Sequence, residues 1–166
     1  MLYCIHEFSG EWFFMWTKTR SLMLSRIAVT GFTAAMVMLT FFVPYFAEWY
    51  EGASQGVGLI GGSVYLPVMM TLYASEICGM WAIIELHILL HNIRLGEVFV
   101  PRNTKCLRCI SWACMLAGLA FAVMGLWKFL FLLPAFFAVM FGLIMRVLKN
   151  VFERAVELKS ENDFTI

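Results

Sequence analysis

Residues 27–46 read IAVTGFTAAMVMLTFFVPYF, twenty positions without one charged side chain. A helix rises about 1.5 Å per residue, so a run of this length covers the roughly 30 Å of hydrocarbon in a bilayer. The rest of the chain has the same character. Of its 166 residues, 62% are hydrophobic and only 14% charged, with a mean hydropathy of +0.83. A water-soluble fold this small has too little interior to hide that much apolar surface. The segment at 27–46 is therefore read as a transmembrane helix. No basic leader precedes a short apolar core at the start of the chain, so this first span is expected to stay as an anchor.

Three further apolar runs follow. The second, 64–91, is longer than a span needs and carries Pro67 near its start, which predicts a kinked or re-entrant entry. The third and fourth, 107–126 and 130–147, are separated only by Trp127, Lys128 and Phe129. One helix over both would be about 40 residues, too long for an ordinary bilayer, so a tight outer turn at 127–129 is expected. Tyr45, Trp49 and Tyr50, with Glu48 and Glu51, open a Gly-rich outer loop over 47–63. The fold expected is all-α: an integral membrane four-helix bundle whose last helix continues as an amphipathic extension over 148–166.

Basic residues orient the spans. Lys18, Arg20 and Arg26 precede the first; Arg94, Arg102, Lys105 and Arg108 flank the loop over 92–106; Arg146, Lys149, Arg154 and Lys159 follow the last. Lys128 alone falls on the other side, so eleven of the twelve basic residues share one face. The bias of Lys and Arg towards cytoplasmic segments then predicts both termini, with residues 1–26, inside the cell. The net charge of +1 gives no sign of nucleic acid as a direct partner. Small residues at four-residue spacing (Gly31 and Ala35; Ala74, Cys78 and Ala82; Cys114, Gly118 and Ala122) allow close helix packing within the chain, or a self-association face in a homo-oligomer.

Few groups suggest chemistry. Glu76 and Glu85 lie inside the second apolar run, where an ionisable side chain costs a few kcal/mol and needs a partner, a proton, water or a function. At 100° per residue Glu76 and His87 fall within about 20° of each other, whereas Glu85 points to the opposite face, which disfavours a paired-carboxylate hydrolase. Glu76 reads either as a proton or cation site or as a neutral acid hydrogen-bonded across helices. Glu85 reads as snorkelling, or paired with Arg94 or Arg108. His87 and His91 leave the second span where Cys106 and Cys109 enter the third, a set with the ligand chemistry of zinc; buried thiols and interfacial histidines are the alternative. The odd count of five cysteines does not suit a disulfide framework. Phosphate loops, metalloprotease helices and nucleophile elbows are missing, and little chain lies outside the bilayer, so no enzymatic activity and no cofactor are expected.

The tail is the best partner surface. Val147, Leu148, Val151, Phe152, Ala155 and Leu158 form an apolar stripe opposite Lys149, Glu153, Arg154, Glu157 and Glu161. It could dock a cytoplasmic protein, or lie on the membrane or against the inner loop.

Two stretches carry a resemblance: residues 92–103 (NIRLGEVFVPRN), followed by Leu107, Arg108 and Ile110, and residues 151–166 (VFERAVELKSENDFTI). They resemble domain-of-unknown-function family 2975, over an extent expected to run from Thr17 to Ile166. The resemblance implies a small bacterial four-span protein of the cell membrane, with no established reaction, often encoded beside a small helix-turn-helix regulator. Residues 1–14 depart from that pattern: Phe8, Trp12, Phe13 and Phe14, with Trp16, read as an interfacial helix or as sequence upstream of a true start at Met15.

Overall fold

The structure is a computed structural model that describes residues 3–53 and 58–163, with side chains described over 23–53 and 58–162. Four long helices make up these residues: α1 (Tyr3–Ala53), α2 (Tyr65–Arg94), α3 (Pro101–Met124) and α4 (Leu132–Asp163), with a short 3-10 turn at Phe129–Phe131 before α4. Each contains a segment long and apolar enough to cross a membrane. In hydrocarbon no water is available to backbone amides and carbonyls, and a helix pairs them within its own segment. Hydroxyls in the spans follow the same rule: Thr30 donates to the Arg26 carbonyl at 2.7 Å and Thr33 to that of Val29 at 2.8 Å. The expected all-α membrane architecture is the one observed.

The helix ends refine the expected segments. α2 runs without a break from Tyr65, so the kinked or re-entrant entry expected from Pro67 does not form. The proline sits in the first helical turn, where its missing N–H has no intrahelical acceptor to lose. α2 ends in a Schellman cap: Glu97 N–H donates to the Asn92 carbonyl at 3.0 Å and Gly96 N–H to that of Ile93 at 3.1 Å. Gly96 has φ of +81°, which a side chain would resist. Pro101 then takes the first position of α3, its fixed φ suited to helix initiation. Non-helical backbone between the two is thus reduced to residues 95–100, shorter than the 92–106 segment expected. The N-terminal segment is continuous with α1 in its backbone, while its aromatic side chains lie outside the described residues.

Among the described residues, backbone contacts join only successive helices, α1 to α2, α2 to α3 and α3 to α4. The bundle is therefore open, with broad aromatic faces on its outermost helices: Phe32, Phe41 and Phe42 on α1, Phe136 and Phe141 on α4. Such surface is incompatible with water and suits lipid. One core cluster gathers Ala47, Val64, Val68, Met124 and Phe131 at the end where α1 turns to α2. There Leu59 and Ile60 donate backbone N–H bonds to the Leu126 carbonyl at 2.8 and 3.1 Å, tying the first connection to the α3–α4 turn. The second cluster, Leu89, Cys106 and Leu107, lies at the opposite end and takes in Met145 and Phe152 from α4.

Without a hydrophobic driving force between helices in lipid, close approach has to supply the packing energy. The small residues divide accordingly. A Cβ on Gly118 would lie 2.7 Å from Val139 Cγ2 and 3.2 Å from the Ala135 carbonyl, so this glycine sits in the α3–α4 seam. A Cβ on Gly31 would meet nothing within 4 Å. Gly118→Leu is expected to destabilise the fold by about 1–3 kcal/mol through overpacking, and Gly31→Leu to change it by less than about 0.5 kcal/mol. Denaturant titration in mixed micelles measures both, and equal effects would contradict this division of the seams.

Candidate functional site

The two stretches that carry the most distinctive sequence fold into one unit at the end of the molecule formed by the α2–α3 loop and the α4 tail. Asn103, fully buried in the first turn of α3, holds the loop from inside. Its Nδ2 donates to the carbonyls of Glu97 and Val98, both at 2.8 Å, and its Oδ1 accepts from Asn92 Nδ2 at 2.7 Å. One amide thereby joins the end of α2, the loop and the start of α3, and its polar atoms are all used.

The tail docks on this scaffold. Phe152 packs on the cluster of Leu89, Cys106 and Leu107, and its ring lies 6.0 Å from that of Phe99 in the loop. Beside it, Glu153 accepts a hydrogen bond from Lys149 one turn earlier and pairs with Arg108 of α3 at 3.5 Å. The Lys149 ammonium, followed by Arg108, holds the Glu153 carboxyl below the ordinary carboxylate range. Met145, Lys149 and Phe152 recur at helical spacing and form the face of α4 turned towards the rest of the chain.

The stripe read from the sequence is therefore divided. Of the partner-binding candidates Val151, Phe152, Glu153, Arg154, Glu157 and Leu158, Phe152 and Glu153 are engaged within the chain. Val151 and Leu158 remain 59% and 67% exposed, with Arg154 and Glu157 exposed beside them. The sequence pattern could not separate these sets, because both faces of the tail carry apolar residues.

Glu76 occupies a second polar position, between α1 and α2. Its Oε1 is hydrogen-bonded to Thr40 Oγ1, and its Oε2 is buried without a hydrogen-bond partner. Thr40 Oγ1 also lies 3.2 Å from the Met36 carbonyl. Pro44, one turn on in α1, has no N–H to give to the Thr40 carbonyl. The Thr40 hydroxyl and the Glu76 carboxyl thus form one node, a turn before the proline. Thr40 and Pro44 were missed by sequence reasoning; the available signal was a threonine four residues before a proline in a span without charged residues.

The remaining ionisable residues do not converge. His87 and His91 line a groove with Arg26 and Arg94, on the side of α2 that faces α1. His87 follows Glu76 by eleven positions, about 16 Å along the helix. Glu85 faces α3 instead, towards the Cys106 and Cys109 thiols and near Arg102. Of the two readings of Glu85, snorkelling or pairing with Arg94 or Arg108, no such pair occurs among the described residues, and Arg108 pairs with Glu153. The four residues with zinc-ligand chemistry are split between two sides of α2, and among the described residues no group of three or more His, Cys, Asp or Glu is placed to hold a metal.

No curated protein and no solved structure matches the chain. A family model, described as a protein of unknown function (DUF2975), matches residues 60–166, a narrower extent than the one expected from Thr17. That match contains α2, α3 and α4 together with the whole loop–tail unit, and on it the chain belongs to the DUF2975 family.

Proposed function

We propose that this chain is a non-enzymatic protein of the bacterial cell membrane, with both termini cytoplasmic, whose loop–tail unit binds or regulates a cytoplasmic protein. The partner fitted best by the family resemblance is a small helix-turn-helix regulator. One observation carries the reading: the tail of α4 is pinned along one face by Phe152 and Glu153, while Val151 and Leu158 stay exposed with Arg154 and Glu157 beside them. A helix held on one side presents its free side without the ordering cost of a loose segment. The concentration of basic residues at this end supports its cytoplasmic placement.

The test is co-expression with the helix-turn-helix regulator encoded beside the gene, followed by purification in mild detergent. The full chain should retain the regulator, and Val151→Glu with Leu158→Glu should lower retention at least about tenfold, the scale expected for losing apolar anchors. Thermal unfolding of the double variant should be unchanged. Failure of the intact chain to retain the regulator, together with unaltered expression of the regulator's targets on deleting the gene, would exclude this function.

A second reading rests on Glu76. The partnerless Oε2 beside Thr40 supports a proton or cation site in a small transporter, which with four helices would need a homo-oligomer. It predicts ion flux in proteoliposomes that Glu76→Gln abolishes. Absence of flux, or flux untouched by that substitution, removes it.

A further inference from the structure

A cleft of about 350 Å³ opens between α3 and α4, lined by Arg108, Ser111, Trp112, Arg146, Lys149 and Asn150. Its position along the helices is set by charge. Residues 109–127 and 130–145 contain no charged side chain, so Arg108 and Arg146 are the first charges beyond the hydrocarbon-length runs of α3 and α4. Trp112 lies at the same level, as interfacial indoles do. The cleft therefore sits where lipid headgroups begin.

The charges within it are not balanced. Glu153 is shared by Lys149 and Arg108, while Arg146 makes no ion pair among the described residues. The Arg146 guanidinium instead lies 5.2 Å from the centre of the Trp112 ring, with Nη1 4.0 Å from Met115 Sδ. Neither contact uses more than part of its five-donor fork. Ser111 fixes the wall, donating to the Gly142 carbonyl at 2.8 Å across the α3–α4 seam. Three cations and one carboxylate leave an excess of two positive charges in the cleft.

We propose that this cleft binds the phosphate of an anionic phospholipid, with Arg146 as its principal ligand and Lys149 and Arg108 as flanking cations. Arginine suits phosphate because its planar fork presents parallel donors, and a basic pocket between spans at the membrane boundary is a recurrent form of headgroup recognition. The acyl chains would lie along the exposed apolar surface of α4, which Phe141 and Ile144 continue above the cleft. The same phosphate chemistry could be met by free phosphate, so the experiment separates the two.

The full chain in zwitterionic detergent is titrated with phosphatidylglycerol, phosphatidylcholine or inorganic phosphate, and thermal unfolding is followed. Phosphatidylglycerol should raise the midpoint by about 5 °C, as expected for a ligand well above its dissociation constant. Phosphatidylcholine and millimolar phosphate should raise it by less than about a third of that. Arg146→Gln should remove most of the phosphatidylglycerol shift, Arg146→Lys should restore part of it, and Lys159→Gln, outside the cleft, should retain it. Should Arg146→Gln not fold, loss of the shift in Lys149→Gln carries the same test. Equal shifts with phosphatidylglycerol and phosphatidylcholine, or a full shift in Arg146→Gln, would overturn the proposal, and a full shift with inorganic phosphate alone would replace the lipid by a free anion.

Discussion

A backbone amide or carbonyl without a hydrogen-bond partner costs several kcal/mol in hydrocarbon, and the rest of this structure follows from that penalty. It forces the apolar runs into helices that serve their own backbone. It folds the hydroxyls of Thr30 and Thr33 back onto the preceding turn. It also confines irregular backbone to the ends, where the Gly96 cap and Asn103 use almost every polar group in the short α2–α3 connection. The buried Oε2 of Glu76 and the buried Oγ1 of Thr104, each without a partner among the described residues, are departures from the rule.

The open packing of the helices has a related cause. Lipid covers apolar side chains as well as another helix would, so the chain need not close into a compact bundle. Contact is concentrated where geometry makes it favourable: at Gly118 against Val139, at Ser111 against Gly142, and in the two small clusters at the ends. The cluster around Leu89, Cys106 and Leu107 has a further consequence, because it fastens the amphipathic tail to the loop. The tail thus becomes part of the folded body, with one face used internally and the other available.

Much of this was legible in the sequence. The four spans follow from apolar runs of the right length, and the uninterrupted passage of α4 into its tail follows from an apolar stripe that never breaks. What could not be read was the rotation and register of one helix against another. The pattern placed Glu76 and His87 on one face of α2, as found, yet gave no sign that Thr40 of α1 would meet the carboxyl. The same pattern allowed His87, His91, Cys106 and Cys109 to converge, whereas α2 holds its histidines towards α1 and α3 holds its thiols behind Glu85. The division of the tail into docked Phe152 and free Val151, adjacent residues of equal hydrophobic character, depends on tertiary contact alone. Pro67 misled in the other direction, since a proline in a first turn begins a helix as readily as it bends one.

A cytoplasmic role for the loop and tail depends most on which side of the membrane holds them. With the five native cysteines replaced, single cysteines at Gly61, Glu97 and Lys159, all exposed, can be treated in whole cells with a membrane-impermeant maleimide. Gly61→Cys should be labelled in intact cells, and Glu97→Cys and Lys159→Cys only after permeabilisation. Labelling of Glu97→Cys and Lys159→Cys in intact cells, with Gly61→Cys protected, would invert the protein and contradict a cytoplasmic role for its loop and tail.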